Sequence, residues 1–413
     1  MHFSDLALNL HLENRRGGEE SNRDGKKQRS MNRNREHVTC AHAEEMEVMM
    51  MKAFPHIRVS GTAVERGRQL GQLAKQQIDQ NIEMYRQYFR DVYDVSWDDA
   101  REYAVPYIPW IEQYDQEIMD EIKGMSEGAN LDLLDLVVLN VRSEVIINIG
   151  KTHAVLDGCT CLAATPAVTK EGTTLLGQNW DWNHLIAPGM IIAEIEQPPK
   201  PTILMVTEAG IVGKIGMNSA GLGLCMNFLG TSELTEGGVP IHVVLRGILN
   251  SHTLPKAISQ ITKLPRGTSA NYMIGHKEGE TVDVEATPTD YDVIYPLDGS
   301  MAHANHFIAP RFLAVDDTKR AVIPDTQLRQ GVATRLLAAE RGTIDGETFK
   351  RIFINHTGHP AGICRHGEAL PFESDVPGTA KTVFSIIMNV AEGTFELTYG
   401  TPCDHAYETY RLS

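Results

Sequence analysis

The spacing of apolar residues divides the chain into a helical first part and a strand-rich second part. Ile78, Ile82, Tyr85 and Phe89 recur every three or four positions, which places them on one face of a long helix. Two later apolar stretches have helical lengths and are bounded by glycine. The elements predicted for the first part are a strand over 57–60 and helices over 63–91, 106–127 and 131–149, the last stopped by Gly150.

Beyond residue 158 the apolar runs are short and are separated by Gly, Asn and Pro turns, which is typical of strands. Few strands alternate with a single helix, so an α+β fold of antiparallel sheets covered by helices is expected. The predicted helices cover 241–251, 254–263, 327–341 and 346–354. The predicted strands cover 159–165, 173–178, 202–208, 212–217, 223–227, 270–276, 281–286, 291–296, 301–305, 382–390 and 394–399.

The first two of these strands form a predicted hairpin with reactive groups at one end. The turn residues Asp157 and Gly158 precede Cys159, and the second strand ends in the stretch 179–182, which contains Asp181. Because the two strands pair antiparallel, we expect Cys159 and Asp181 to lie at the same end of the hairpin. Local structure then brings a thiol nucleophile beside a carboxylate that can orient it.

The Gly158–Cys159 peptide bond is a candidate for self-cleavage. Gly158 has no side chain to hinder attack on its carbonyl carbon, and it tolerates strained torsions. Attack by the Cys159 thiol would give a thioester that water hydrolyses, leaving Cys159 with a free α-amino group whose pKa is ordinarily about 7.7–8. That amine can accept the proton of its own thiol, so one residue would supply both nucleophile and base.

Other interpretations of these residues stay open. A Cys that opens an apolar strand is commonly a small buried hydrophobic residue. A redox pair of Cys159 with Cys161 is less favoured, because residues two apart on a strand are too distant for an unstrained disulfide. Trp180 and Trp182 are expected in the core or in a pocket wall, where Asp181 between them would need a positive partner such as a free Cys159 amine.

Two asparagines close apolar strands, Asn227 and Asn305. A rigidly held side-chain amide is a suitable donor to an oxyanion, although asparagine also ends strands by ordinary turn chemistry.

Histidines cluster late in the chain, which makes zinc conceivable. However, His303 and His306 are three apart and would lie on opposite faces of a strand. His356, His359 and His366, with Cys364, include no C-x-x-C or H-E-x-x-H spacing. No metal site and no cofactor are therefore predicted.

The composition of the chain limits the classes of partner that the protein is expected to bind. The net charge of −16 disfavours nucleic acid and anionic membranes, and no apolar run is long enough to span a bilayer. The six cysteines and the lack of a secretory pattern suggest a cytoplasmic protein. Residues 1–51 are expected to be a disordered or non-native tail, with translation starting near Met49 as one hypothesis.

From about residue 56 onward, the chain resembles the acyl-CoA:6-aminopenicillanic acid acyltransferase family of N-terminal-nucleophile hydrolases, which also contains β-alanyl-amine hydrolases. The choloylglycine hydrolases are similar at a greater distance. The stretches that carry the resemblance are 157–160, 177–182, 217–222, 227–228, 303–307 and 362–366.

The resemblance implies a four-layer αββα sandwich with an N-terminal helical block, made from one precursor. Cleavage would leave a small subunit, residues 52–158, and a catalytic part, residues 159–413, as a heterodimer that can oligomerise further. The roles it implies are Cys159 as nucleophile, Asn305 and Asn227 as oxyanion donors, and Asp181 as the group that orients the new amine. Arg365 is the nominee for the family's arginine near the site, with a solvated surface charge as the alternative.

Cys161 departs from the pattern, because the fungal acyltransferase has threonine there, and a thiol is the weaker hydrogen-bond donor. Cys161, Trp180 and Arg365 remain candidate contacts for the substrate or for processing.

The predicted function is that of a self-processing N-terminal-cysteine amidohydrolase or acyltransferase. Its substrate would be a small N-acyl compound, with acyl-CoA as a further candidate. The alternatives are an acyl-CoA-dependent penicillin-type acyltransferase and an inactive or unprocessed homologue with a structural or binding role.

Overall fold

The computed structural model describes residues 53–148, 158–231, 235, 237–296, 298–315, 324–367 and 380–413. Contacts divide the chain into Met1–Met50 and Met51–Ser413, and every described residue belongs to the second unit. The predicted tail over 1–51, the helix stop at Gly150 and the turn residue Asp157 lie outside the described residues.

Two sheets form the centre of the fold. One has eight strands in the order β1-β4-β5-β6-β7-β8-β9-β10, antiparallel except for the β1–β4 pair, and the other has six in the order β11-β2-β3-β12-β13-β14. The strands of the first sheet are, in chain order, β1 His56–Ser60, β4 Met190–Glu196, β5 Ile203–Glu208, β6 Ile215–Asn218, β7 Leu222–Phe228, β8 Ala270–His276, β9 Thr281–Ala286 and β10 Tyr291–Ile294. Those of the second are β2 Thr160–Ala164, β3 Leu175–Asn183, β11 Ser300–His303, β12 Ala380–Asn389, β13 Thr394–Leu397 and β14 Glu408–Arg411.

Eleven α-helices lie among the described residues. They are α1 Ala63–Leu73, α2 Lys75–Tyr93, α3 Trp97–Ala104, α4 Ile108–Tyr114, α5 Gln116–Ala129, α6 Leu133–Asn140, α7 Arg142–Asn148, α8 Ile241–Leu249, α9 Leu254–Thr262, α10 Asp325–Ala339 and α11 Gly346–Phe353. No helix of the described ranges combines the length and the apolar content that crossing a bilayer would require.

The helix predicted over 63–91 is two helices, separated at Ala74. The first half packs on α5 at very short range, since a Cβ added at Gly67 would lie 2.0 Å from the Glu121 carbonyl oxygen. The second half turns its apolar face to the eight-stranded sheet, where Asn81 donates to the carbonyl oxygens of Gly189 and Ala209 at 2.9 and 2.8 Å. Two different packing partners thus explain the break.

The layers follow the order helix, sheet, sheet, helix. β2 and β3 of the six-stranded sheet contact β7 and β8 of the eight-stranded sheet, so the two sheets face each other. Helices α2, α8 and α9 cover the eight-stranded sheet, and α10 and α11 cover the six-stranded sheet. This confirms the predicted α+β class and its four-layer αββα arrangement.

The predicted hairpin is present, but its second strand is longer than expected. β2 pairs antiparallel with β3, with Thr160 opposite Asn179. The prediction that this strand ends before residue 179 is wrong, because β12 pairs with β3 on its other side and places Thr382 opposite Asp181. Asp181 therefore lies inside a buried strand, a position that a partner two hundred residues away decides. Strands β4 and β14 were not predicted.

Candidate active site

Cys159 lies immediately before β2 and is fully buried. Its Sγ accepts a hydrogen bond from the backbone N–H of Asp181 at 3.4 Å and lies 3.9 Å from the Asp181 carbonyl oxygen. The hairpin thus brings Cys159 and Asp181 to the same end, as the antiparallel pairing predicts.

Two side chains hold the carbonyl oxygen of Cys159. The Nδ2 of Asn227 donates to it at 3.1 Å, and the Nη1 of Arg329 donates to it at 2.6 Å. Asn227 is oriented in turn by Asn271, whose Nδ2 donates to the Asn227 Oδ1 at 3.1 Å. The backbone next to the thiol is therefore fixed by donors from β7 and from α10.

Asn305 belongs to the same network. Its Oδ1 accepts from the Nη2 of Arg329 at 3.0 Å, and its Nδ2 donates to the Phe228 carbonyl oxygen at 3.1 Å. Its backbone N–H donates to the hydroxyl of Thr326 at 2.7 Å. Arg329 thus bridges the Cys159 carbonyl and the Asn305 amide, so both predicted oxyanion donors lie around one buried guanidinium.

A row of alternating charges extends from Asp181. Its Oδ1 accepts from the Thr382 hydroxyl at 2.7 Å, and its Oδ2 lies 3.6 Å from the Nε of Arg365. Arg365 also donates to Asp325 at 2.5 Å, and Asp325 accepts from the Nε of Arg329 at 3.0 Å. Burial raises the pKa of Asp325, but Arg329 and Arg365 outweigh it and hold this pKa below its ordinary value.

Arg365 is almost fully buried against Asp181, so the alternative of a solvated surface charge is wrong for this residue. The thiol of Cys161 is also fully buried, and burial together with a hydrogen bond to Cys225 raises its pKa well above the ordinary value. Cys161 therefore stays protonated as part of the core. Within the described residues, neither Cys159 nor Cys161 forms a disulfide.

Gly158 is buried directly beneath Arg365. A Cβ added at this position would lie 2.3 Å from the Arg365 Nε, far inside van der Waals contact. A side chain at this position would therefore force the Arg365 guanidinium to move.

Gly158→Ala should therefore displace Arg365 and slow any reaction at the adjacent bond by about 10-fold or more, because small misplacements of reacting groups are costly. The measurement is the rate at which the purified chain divides at this bond, followed by denaturing mass spectrometry. Gly172→Ala is a matched control, because nothing lies near its missing side chain, although its positive φ adds mild strain. Equal rates for Gly158→Ala and the unaltered chain would contradict the steric argument.

A second buried charge cluster lies beside the hairpin. The carboxylate of Glu208 accepts from Lys214 at 2.5 Å, from Arg142 at 3.0 Å and from the hydroxyl of Tyr85. Burial raises the pKa of Glu208, but the charges of Arg142 and Lys214 lower it by a larger amount. The resulting pKa is well below the ordinary value of a glutamate. Burial also lowers the pKa of Lys214 to about 8.

Glu208→Gln should destabilise the fold by about 3–5 kcal/mol, because two buried cations lose their counter-charge. The pKa of Glu208 is depressed in the folded state, so its stabilisation is present above the unfolded pKa of about 4.3 and is lost as the pH falls. The variant should therefore show a flatter dependence of unfolding free energy on pH below about pH 5. Urea unfolding at several pH values tests this. A variant with the same slope as the unaltered chain would contradict it.

Arg142 and Lys214 of this cluster line a small cavity of about 20 Å³ together with Trp180 and Trp182. The rings of Trp180 and Trp182 stack with centroids 6.1 Å apart, and Lys214 Nζ lies 3.7 Å from the Trp180 centroid. Met226 and Phe228, which flank Asn227 on β7, complete the apolar wall. The predicted pocket-wall position of Trp180 thus agrees with the structure.

The profile of the acyl-coenzyme A:6-aminopenicillanic acid acyl-transferase family matches residues 168–404, which is more than half of the chain. The chain belongs to this family. The matched region contains Asp181, Asn227, Asn305 and Arg365, and it begins after Cys159.

A curated relative in the family is the acyl-coenzyme A:6-aminopenicillanic-acid-acyltransferase 40 kDa form of Emericella nidulans. It is 32% identical over 248 residues, which cover 60% of this chain and 66% of the relative, just under two thirds of its length. Among solved structures, penicillin V acylase from Agrobacterium tumefaciens matches 58% of this chain and 83% of its own, with a TM-score of 0.40 at 13% identity. A mutant of conjugated bile acid hydrolase from Clostridium perfringens matches 62% and 97%, with a TM-score of 0.42 at 14% identity.

Three residues at this family member's candidate site were missed by the sequence analysis. Arg329 and Asp325 form an i,i+4 pair at the start of α10, a spacing that usually marks an exposed ion pair on a helix. Thr382 is one of many threonines in strands. No local pattern distinguishes these residues, because their roles depend on how α10 and β12 pack against the hairpin.

Proposed function

We propose that this chain is a precursor that cleaves itself between Gly158 and Cys159 and then acts as an N-terminal-cysteine amidohydrolase or acyltransferase. The observation that supports this most is the buried Cys159 thiol. It follows Gly158, where a side chain would have to displace the Arg365 guanidinium, and the carbonyl of Cys159 is held by Asn227 and Arg329. The products of cleavage would be a small subunit over 52–158 and a catalytic part over 159–413, paired as a heterodimer.

In self-cleavage, the Cys159 Sγ bonds to the carbonyl carbon of Gly158 and the C–N bond to the Cys159 nitrogen breaks. The thiol proton passes to that nitrogen, which becomes an amine. Water then hydrolyses the thioester, leaving a carboxylate on Gly158 and restoring the thiol. The rigid carbonyl of Cys159 supports this step, because a fixed backbone keeps the attacking atom close to its target.

In turnover, the new α-amine accepts the thiol proton, since its ordinary pKa of about 7.7–8 suits a base at neutral pH. The thiolate attacks the acyl carbon of the substrate. Asn305 and Asn227 donate to the developing oxyanion, and each amide carries two N–H groups, so one can serve the oxyanion while the other keeps its present partner. The protonated amine then gives its proton to the leaving amine, and water releases the acyl group from Cys159.

Asp181 is proposed to orient the Cys159 amine, with Thr382 and Arg365 holding its two oxygens. The carboxylate is acceptor-only when ionised, so it suits a neighbouring ammonium group. Arg365 would act through Asp181 as a positioning residue.

The cavity beside Trp180 is the proposed entry to the acyl site, and its present volume of about 20 Å³ means that side chains have to move to admit an acyl group. Its walls combine stacked indole rings with the stems of Lys214 and Arg142, whose charged ends are paired with Glu208. The substrate class that fits this lining is a small N-acyl compound whose acyl part is apolar or aromatic.

Acyl transfer is the second candidate function, favoured by the name of the Emericella nidulans relative. In that case the Cys159 thiolate takes the acyl group from a thioester such as acyl-CoA, the thiol of CoA leaves, and an amine in place of water accepts the acyl group. Hydrolysis and transfer pass through the same acyl-enzyme and differ in the group that leaves when it forms and in the acceptor that then takes the acyl group.

The test begins with denaturing mass spectrometry of the purified protein. The expected result is two fragments, the larger beginning at Cys159. A panel of N-acyl amides and acyl thioesters, with and without amine acceptors, then separates hydrolysis from transfer by product analysis. A single uncut chain that stays inactive on incubation would contradict the proposed function and favour a structural or binding role.

A further inference from the structure

Four potential metal ligands converge outside the hydrogen-bond network around Cys159. His356 follows α11, Cys364 and His366 lie in the next loop, and Cys403 lies in the turn after β13. Their ligand atoms all lie within 4.8 Å of one another. We call these four residues the Cys2His2 cluster. In the part of the chain that the structure describes, it is the only group of this kind.

Four of the six ligand-atom distances in the Cys2His2 cluster lie within about 0.4 Å of the edges of a zinc tetrahedron, and the two from His356 to the sulfurs are at most 4.8 Å. With Zn–N bonds of about 2.0–2.1 Å and Zn–S bonds of about 2.3 Å, tetrahedral ligands lie about 3.4 Å (N to N), 3.6 Å (N to S) and 3.8 Å (S to S) apart. The two histidine Nε2 atoms are 3.0 Å apart, the His366 Nε2 lies 3.7 and 3.5 Å from the two sulfurs, and the sulfurs are 3.5 Å apart.

The backbone holds the ligands in place without the metal. The N–H of Cys364 donates to the Asn355 carbonyl oxygen at 3.0 Å, and that of His366 donates to the Pro360 carbonyl oxygen at 3.1 Å. The turn that carries Cys403 is closed by the Thr401 hydroxyl, which donates to Asp404 at 2.9 Å. The site is therefore largely formed in advance, which lowers the entropic cost of binding an ion.

We propose that the Cys2His2 cluster binds one Zn²⁺ as a structural site, through the two thiolates of Cys364 and Cys403 and the Nε2 atoms of His356 and His366. Two soft thiolates and two imidazoles in a tetrahedral arrangement select zinc over magnesium or calcium. Binding displaces the two thiol protons, and the two thiolate charges balance the charge of the ion. The sequence analysis assigned no metal site, so this proposal departs from it.

The site would connect to the catalytic region through Arg365, which lies between two of the ligands. Its backbone N–H donates to the Thr382 hydroxyl at 3.0 Å, and its carbonyl accepts from the Thr382 N–H at 3.0 Å. Its guanidinium reaches Asp181 and Asp325. Zinc would thus fix the loop that carries Arg365, which makes the ion a positioning element for the charge row at Asp181.

The direct test is metal analysis of the full chain, purified without a polyhistidine tag and without chelators. The expected result is about one zinc per chain, falling to a tenth or less in Cys403→Ser and in His356→Ala. His359→Ala and His252→Ala are the matched controls and should retain the zinc. The first lies beside the cluster but outside it, with its ring 5.4 Å from that of His366, and the second is exposed elsewhere.

A second measurement uses the unaltered sequence, so that a misfolded variant cannot decide the outcome. Exchange of the bound ion for Co²⁺ should give the visible absorption of a tetrahedral ion together with a thiolate charge-transfer band. The proposal is overturned if the unaltered chain, supplied with zinc, holds none. It is also overturned by a Cys364–Cys403 disulfide in the peptide map, or by equal zinc in His356→Ala and the unaltered chain. These readouts do not require activity.

Discussion

Cys159→Ala is expected to give a chain that stays uncut and shows no measurable amidase or acyl-transfer activity. The substitution removes the Sγ that would attack both the Gly158 carbonyl and the substrate, while the buried site loses one side-chain atom and the acceptor of the Asp181 N–H. Loss of a nucleophile costs about 10⁴-fold or more in turnover, because the remaining oxyanion donors cannot replace covalent catalysis. The measurements are fragment masses after long incubation and initial rates on the best substrate of the panel.

Two comparisons make this result specific to Cys159. Cys159→Ser should still divide, slowly, because a hydroxyl can perform the same attack with a weaker nucleophile. Cys225→Ala removes another buried thiol from a neighbouring strand and should divide at a normal rate. A Cys159→Ala chain that is cut at the same bond as the unaltered protein would refute the assignment of the nucleophile.

Asn305→Ala is expected to lower kcat by about 10²–10³-fold with a much smaller effect on KM, as found when a single oxyanion donor is removed. In the proposed mechanism the amide donates to a charge that exists in the transition state and not in the bound substrate, so its loss should affect turnover more than binding. The variant also leaves the Arg329 Nη2 without its present acceptor, so a moderate loss of stability should accompany the kinetic effect.

The kinetic and structural contributions can be separated. Urea unfolding of Asn305→Ala, together with the rate of self-cleavage, reports on the fold and on the precursor site. Asn250→Ala is the control, because it removes a partly buried amide that is not part of the network around Cys159. The Oδ1 of Asn250 accepts hydrogen bonds from Gln197 and Arg246. If Asn305→Ala turns over within a few-fold of the unaltered enzyme, the oxyanion role belongs to another donor, of which Arg329 is the nearest charged group.

Several elements were predictable because their causes are local. Strands β8 and β9 have the predicted bounds, since each is a short apolar run closed by turn residues. Strand β4 was missed although its apolar run lies between Pro188-Gly189 and Pro198-Pro199, so its cause is equally local and the turn residues on both sides could have indicated it. The predicted boundary at residue 179 failed because pairing with β12 extends β3.

The candidate site also contains residues that could be named from the sequence and residues that could not. Cys159, Asp181, Asn227 and Asn305 were named from strand ends and from a family resemblance, and the structure places all four around one buried network. Their catalytic roles remain predictions. The groups that link them come largely from α10 and β12, whose sequences show an ordinary helix without a pronounced apolar face and an ordinary core strand.

The sequence by itself determined the hairpin, the position of a thiol after a glycine, the α+β class and the family, because these depend on residues close together in the chain or on the order of short motifs. Only the tertiary structure decided that Arg329 donates a hydrogen bond to the Cys159 carbonyl and that Arg365 is buried against Asp181. It also decided that Cys403 lies close to His356, Cys364 and His366. Such contacts join segments distant in sequence, and their geometry is set by how the sheets and helices pack, which no local pattern of residues encodes.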